Sequence, residues 1–415
     1  MYKDAVPIQN LLHARILVIF FPEVISYFSN GLVMAEYNLS LYRSWFPHIV
    51  NGSIWMNHAA ISPLSTRVNT AVQKYLEART TGEIDVYLSM LPTVAHLKQN
   101  IGTLINAAPE RIGFVLNTSE GLSVLASGLE WKPGDRILLN ESEFPANVVP
   151  FLNLRRHGVE IDFIKIHHGA ITPEITEQYL TSKTKLVSVS FVQFLSGFRA
   201  DLAAIGALCK KRGIIFSVDG IQGLGVSPLD VQKMKIDFLS SGGNKWLMGL
   251  MGLAFIYVSE EMQNRIQQSH MGWTSNRNFF SEFFKYRVDL DDTARRYENG
   301  TQNYIAIAAL GASLATLLEV GIENIQSHVA ALTEKIIAAA DGAGHSLVTS
   351  RDKNERAGIV TFRCENADEL FAFLKKEHIT VSVREGMIRV SPHFYNSSED
   401  VAALHSALLQ YKKSA

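Results

Sequence analysis

A lysine in a glycine-lined turn and an aspartate closing an apolar run are the residues best placed to do chemistry here. Lys245 sits in "SSGGNKWLMG", between the apolar segments "KIDFLSS" and "MGLAFIYV". A lysine in a turn is ordinarily a solvated surface group. Flanked by glycines and by Trp246-Leu247, this one is expected to lose water, which lowers its pKa and makes the amine a nucleophile. Asp219 ends the run "GIIFSVDG". Alone it reads as a turn or capping aspartate, but at the end of a buried strand it needs a cation or hydrogen bonds. One strand separates the two residues, so both are expected at the same edge of a sheet, the edge where open α/β sheets bind ligands. In "FVLNTSEGLSVLASG", Thr118, Ser119, Glu120 and Gly121 open a helix. Their hydroxyls and free N–H groups can bind phosphate or simply cap the helix. A desolvated lysine, a separate carboxylate and a phosphate turn together suggest pyridoxal 5′-phosphate, with the lysine as Schiff-base anchor and the aspartate on the pyridine nitrogen. No GxxxxGK[ST] or GxGxxG loop supports a nucleotide instead.

The elements that must position these residues are legible as periodicity. From about residue 84 to 258, apolar strand patterns ("RIGFVLN", "DRILLNE", "GVEIDFIKI", "KLVSVSFV", "GIIFSVDG") alternate with helical ones ("SEGLSVLASGLE", "NVVPFLNLRRHG", "DLAAIGALCKKRG"). That alternation predicts a mostly parallel sheet covered on both faces. After "YENGTQN" the texture changes to two long helices and then a short α+β stretch. The last helix opens with Ser397 and Asp400 at capping-box spacing, with Val401, Leu404, Leu408 and Leu409 as its apolar face. The chain therefore divides into an extension at 1–33, a large domain at 34–300 and a smaller α+β domain at 301–415 that carries the bridging helices. Residues 34–65 are expected to contribute to the active-site entrance.

Composition excludes several classes. The 415 residues are 47% hydrophobic and 19% charged, with a net charge of -1. This balance favours neither nucleic acid nor an anionic membrane as partner. The apolar stretch "ARILVIFFPEVISYF" is broken by Pro22 and Glu23, too short for a membrane span, and is read as an appended or weakly docked segment. The two cysteines, Cys209 and Cys364, form no CxxC pair; no metal site is expected and a reducing, cytoplasmic setting fits.

The ordered motifs from Thr118 to Lys245, with those flanking them, resemble the class V aminotransferase superfamily of fold-type I pyridoxal-phosphate enzymes. That group includes cysteine desulfurases, kynureninases and isopenicillin N epimerase-like proteins. The resemblance covers roughly residues 50–410. It implies a large domain with a mostly parallel, seven-stranded-type sheet between helices and a smaller C-terminal domain. It implies Lys245 as the Schiff-base lysine in "GGNKW", Asp219 as the pyridine-nitrogen partner and Gln222 on the ring's 3′ oxygen. Thr118 and the Ser119, Glu120 and Gly121 backbone would take the phosphate, and Phe144 in "ESEFPANVVPF" would stack on the ring. Gly300 and Thr301 in "YENGTQN" would reach the phosphate of a neighbouring subunit, implying a homodimer. Arg389 in "MIRVSPHFYN" would hold the substrate α-carboxylate. Asn57, His58 and Ala59 in "WMNHAAISPLS" would lie near the substrate, although His58, following Asn57 in a turn, reads as well as a structural histidine. Where the family often carries Ser and His before the lysine, this chain has Gly242 and Asn244, with Ser241 one place away.

The resemblance leaves the reaction open. An amino acid acted on at Cα can undergo transamination, the preferred reading, or elimination or hydrolysis at Cβ or Cγ (as in C–S lyases and kynureninases), or epimerisation. Cysteine desulfurases carry a nucleophilic cysteine in the loop before the C-terminal arginine. The corresponding "VSVREGMIR" has none, which disfavours that activity. Arg384 in the same segment could be a second anion site, but a surface arginine at a strand end is the commoner case.

Overall fold

The computed structural model describes residues 37–166, 169–281 and 283–414. The expected extension at 1–33 lies outside them. Asn38–Ala415 form one compact unit.

Thirteen strands are described. β1 (Ile54–Trp55) precedes the seven strands of the large sheet. These are β2 (Ile112–Val115), β3 (Arg136–Asn140), β4 (Glu160–Ile164), β5 (Thr184–Ser190), β6 (Ile215–Asp219), β7 (Phe238–Gly242) and β8 (Ala254–Val258). Their order is β2-β8-β7-β6-β5-β3-β4. Only β8 runs antiparallel, against both β7 and β2. β2, β6, β7 and β8 are buried at every position, as expected of strands covered on both faces. The C-terminal ends of β2, β3, β5, β6 and β7 consequently meet at one edge. The helix Leu202–Arg212 stops where sequence places its end, at Gly213 with φ of +67°. The expected helix over "NVVPFLNLRRHG" is instead a short turn, Val149–Leu152, followed by a 3-10 segment, Asn153–His157. Pro150 lacks the N–H a longer helix would need and sits in its first turn.

The C-terminal part holds β9 (Ser346–Leu347), β10 (Val360–Arg363), β11 (Ile379–Thr380), β12 (Ser382–Arg384) and β13 (Met387–Val390). Four of them form an antiparallel sheet in the order β12-β13-β10-β9. The continuous strand expected over "ITVSV" is split, because β11 pairs elsewhere: it runs parallel to β1. Met56, just after β1, is buried in the same apolar cluster as Leu370, Ile388 and Leu404. Residues 54–56 thus pack with the small C-terminal domain in space, through a separate two-stranded sheet. The last helix, Ser398–Ser414, has its capping box: Asp400 N–H donates to Ser397 Oγ at 3.2 Å and Ser397 N–H to Asp400 Oδ2 at 3.0 Å. Val401, Leu404 and Leu408 are buried, but Leu409 is 37% exposed and lies off the predicted apolar face. Among the described residues no single helix is long and apolar enough to cross a membrane.

Candidate active site

The lysine turn is closed by backbone bonds. Gly249 N–H donates to Gly243 O at 2.8 Å, Met248 N–H to Lys245 O at 2.9 Å, and Gly243 N–H to Leu253 O at 3.0 Å. Met248 holds φ of +56°, a left-handed conformation unusual for a side-chain-bearing residue. Trp246, fully buried, anchors the turn from below. Its indole N–H donates to Gln222 Oε1 at 2.8 Å, and its carbonyl lies 2.9 Å from His393 Nε2. Lys245 itself is left at the sheet edge, with Nζ 5.4 Å from the Phe144 ring centroid. Burial lowers its pKa to about 8; Asp219 opposes that fall, while Arg389 and Arg384 add to it. An amine held this way is still mostly protonated near pH 7.4, with roughly a fifth of it neutral, far more than for an ordinary lysine.

Asp219 is buried at the end of β6, and one oxygen accepts the Ile221 N–H at 3.0 Å. Among the described residues it has no cation at salt-bridge distance. Its carboxyl is pushed up to about 7, chiefly by burial; the Ile221 hydrogen bond opposes this and Glu143 adds to it. Glu143 is a residue that sequence reasoning missed. It follows β3 and is buried. One carboxylate oxygen accepts the Ser190 N–H at 2.9 Å and a Gln193 amide N–H at 2.9 Å, and the other accepts the Ser190 hydroxyl. Ser190 pairs in register with Asp219, so the two carboxylates stand at adjacent strand ends. Glu143 immediately precedes Phe144, and its hydrogen bonds tie that loop to the end of β5. A second carboxylate three residues after a buried strand was the available signal. Phe144 is 42% exposed and meets Phe194 edge-on at 5.3 Å between centroids.

The helix Thr118–Gly128 brings its first turn against β7. Thr118 Oγ1 accepts the Gly242 N–H at 3.0 Å and Thr118 O accepts Ser240 Oγ at 3.1 Å. The close approach requires Gly121, since a Cβ there would lie 2.2 Å from Ser240 Oγ. Two of the expected phosphate donors are already used: Glu120 N–H goes to Asn117 Oδ1 at 2.9 Å and Gly121 N–H to Asn117 O at 3.2 Å. The first-turn amides of Thr118 and Ser119 and the Thr118 hydroxyl proton remain as donors. Ser241 is buried in β7, and Asn244 is half-buried with its carbonyl accepting the Ser62 N–H at 3.2 Å.

Arg389, on β13, is 2% exposed. It donates to Phe194 O at 2.7 Å and to Ser382 Oγ at 3.3 Å, with no carboxylate at salt-bridge distance among the described residues. Burial, with Arg384 adding repulsion, lowers its pKa to about 9. A desolvated guanidinium with spare donors is suited to a carboxylate ligand.

The first loop needs correction. His58 is fully buried and makes no side-chain opening to the site. Its Nδ1 lies 2.9 Å from Ser391 O and its Nε2 3.0 Å from the Tyr395 hydroxyl. A carbonyl can only accept, so Nδ1 carries the proton and Nε2 accepts from Tyr395. Burial, with His393 nearby, lowers its pKa well below the ordinary value. His58 is a neutral structural residue. Ala59 is buried, its N–H bonded to Ser391 Oγ and its carbonyl to Gln222 Nε2, both at 3.0 Å. Asn57 bridges Ser391 by backbone, while its side-chain Oδ1 is buried without a partner. Gln222 thereby ties Ala59 to Trp246, which leaves one amide N–H for any other ligand. Gly300 and Thr301 line a separate cleft with Leu116, Glu120, Gly252 and Asn299, and none of Lys245, Asp219, Phe144 or Arg389 lines it.

These residues fit pyridoxal 5′-phosphate. Asp219 is an uncompensated buried carboxylate, which a pyridinium N–H would satisfy. Phe144 offers an exposed aromatic face beside the lysine. At Gly242, between the phosphate turn and the lysine, a Cβ would lie 3.0 Å from Ile221 Cδ1 and 3.2 Å from Asn244 Oδ1.

Comparison with known proteins places the chain in a family. The model of the aminotransferase class-V family matches residues 54–404. An uncharacterized aminotransferase of Bacillus subtilis is 26% identical over 360 residues, spanning 87% of this chain and 94% of the relative. A probable cysteine desulfurase of Methanothermobacter thermautotrophicus is 25% identical over 387 residues, spanning 87% and 95%. Among solved structures, an apo cysteine desulfurase from Thermococcus onnurineus superposes with a TM-score of 0.83 at 23% identity, over 94% of this chain and 100% of that one. A cystine C–S lyase in complex with cysteine persulfide gives 0.81 at 22%, over 88% and 99%. At such identities the structural likeness is one of fold.

Proposed function

The chain belongs to the aminotransferase class-V family of pyridoxal-phosphate enzymes, and from that premise we propose that it removes the Cα proton of a small amino acid and completes a transamination. The observation that carries this reading is the convergence of a desolvated Lys245, a buried Asp219, an exposed Phe144 face and an uncompensated Arg389 at one sheet edge. The cofactor, when bound, supplies an electrophilic aldehyde and a ring that stabilises negative charge at Cα. Lys245 would anchor it, Asp219 would hold a proton at the ring nitrogen, and Thr118 with Ser119 would take the phosphate. Arg389 binds the substrate carboxylate and so fixes which Cα bond faces Lys245. With a pKa near 8, the Lys245 amine is basic enough to accept the Cα proton and neutral often enough to do so. Transamination, elimination and epimerisation share this proton removal; the first and last differ in where the proton is returned, and elimination instead expels a substituent from Cβ.

A C–S lyase is the second reading, supported by the cystine C–S lyase among the structural neighbours. A desulfurase that carries sulfur on its own cysteine finds less support. Burial pushes the Cys209 thiol up to about 12, and Cys364 packs at the edge of the small core. The β12–β13 turn that would carry such a cysteine is only Glu385-Gly386. A panel of amino acids decides the matter. A keto acid product with cofactor left in the amine form, reversed by adding a keto acid, supports transamination. Pyruvate or sulfide released with the cofactor unchanged replaces it with the lyase. The reading further includes a homodimer in which Thr301, exposed and away from its own chain's Lys245, serves the other subunit. A fully active monomer in sedimentation would contradict that.

A further inference from the structure

Strand register moves Arg384 from the surface class into the site. β12 and β13 are joined by two residues, Glu385 at φ of +48° and Gly386 at +69°. Two successive left-handed residues make the tight hairpin turn that locks register. The opposed pairs are Ser382 with Arg389, Val383 with Ile388, and Arg384 with Met387. Directly opposed residues share a face, and alternate pairs share the same one. Val383 and Ile388 point into the apolar core of the small domain. Arg384 therefore stands on the face of Ser382 and Arg389. On that face Arg389 bonds Phe194 O, and Thr361, opposed to Arg389 on β10, bonds Leu195 O. This is the side turned toward the ends of the large sheet. Arg384 lies two residues along its strand from Ser382, about 7 Å, a span that an arginine side chain covers.

Its charge has no counterpart there. The residue is exposed; among the described residues its one hydrogen bond is to the carbonyl of Val383, at 2.7 Å, and no carboxylate is at salt-bridge distance. The nearby acids, Asp219 and Glu143, are buried and hydrogen-bonded to the ends of β5 and β6. Lys245 and Arg389 both feel the Arg384 charge as a repulsion. Arg384, Arg389 and Lys245 thus bring three cationic side chains to this side; Glu385, exposed in the hairpin turn beside Arg384, is at salt-bridge distance from none of them.

We propose that Arg384 is a second anion-binding residue of this site, and that the amino acid taken carries an anionic side chain, its α-carboxylate on Arg389 and its distal carboxylate on Arg384. The inference rests on the reading of Arg389 given above.

The test is calorimetric binding of two unreactive probes, succinate and its monoamide succinamate, to the cofactor-loaded protein. Wild type is expected to bind succinate about fivefold tighter, the scale of one exposed charge pair. Arg384→Gln should bind both probes alike, at the wild-type succinamate affinity, and Arg384→Lys should keep part of the preference. Equal affinities in wild type, or a preference undiminished in Arg384→Gln, would overturn the role of Arg384 and leave the reaction unaffected. Failure of wild type to bind either probe would overturn the carboxylate role of Arg389, and this inference with it.

Discussion

Removing the Asp219 charge should stabilise the cofactor-free protein in a strongly pH-dependent way. Burial raises this carboxyl from 3.8 to about 7. Below about pH 4 the group is protonated in both folded and unfolded chains and contributes no difference. Between about 4 and 7 the unfolded chain releases the proton while the fold retains it. Wild-type stability therefore falls as pH rises through this window, and the penalty is constant above it. About 3 pH units at 1.36 kcal/mol each give about 4 kcal/mol. Asp219→Asn carries no such penalty. Asn keeps an acceptor for the Ile221 N–H, but its new amide donor, if unpartnered, costs roughly 1–3 kcal/mol at every pH. The prediction therefore concerns the change with pH. Urea unfolding of both proteins, stripped of cofactor, should show the variant gaining about 4 kcal/mol on wild type between about pH 4 and pH 8. A difference that stays flat across that range would refute the reasoning, because it would mean that Asp219 is not held protonated by burial. Such a stability gain on losing a site residue is the mark of a group placed for a ligand rather than for the fold.

Other substitutions test single links. Lys245→Ala should abolish the visible absorbance of lysine-bound cofactor; a retained band would remove Lys245 as the anchor. Arg389→Gln should raise KM for the amino acid by roughly 10- to 100-fold, the loss of a charge-assisted pair, and steady-state kinetics showing an unchanged KM would contradict it. At Gly121 an added Cβ would lie 2.2 Å from Ser240 Oγ and 2.7 Å from Ile256 Cγ2. Gly121→Ala should therefore cost about 1–3 kcal/mol and lower Tm measurably in a thermal melt. Gln222→Ala strands the buried Trp246 indole N–H and the Ala59 carbonyl, and should destabilise by a similar roughly 1–3 kcal/mol per group even without cofactor.

Much of this protein is written in short stretches. The alternation of apolar strands and helices, the glycine that ends Leu202–Arg212 and the Ser397–Asp400 box depend on neighbours a few residues apart, so sequence suffices to read them. Asp219 and Lys245 were legible for the same reason: each sits in an apolar context that a charge enters only with a partner or a purpose. What sequence could not decide was which distant segments meet. β1 pairs with β11 across most of the chain, and that pairing buries His58 against Ser391 and Tyr395, turning an expected substrate contact into a structural one. Glu143 drew no reading from sequence, and only the order of β3, β5 and β6 sets it near Asp219. Arg384 looked like a surface residue until its register with Met387 set it on the face of Arg389. Periodicity says which side of its own strand a residue occupies. Only the packing of that strand against another decides whether the side is core, solvent or site.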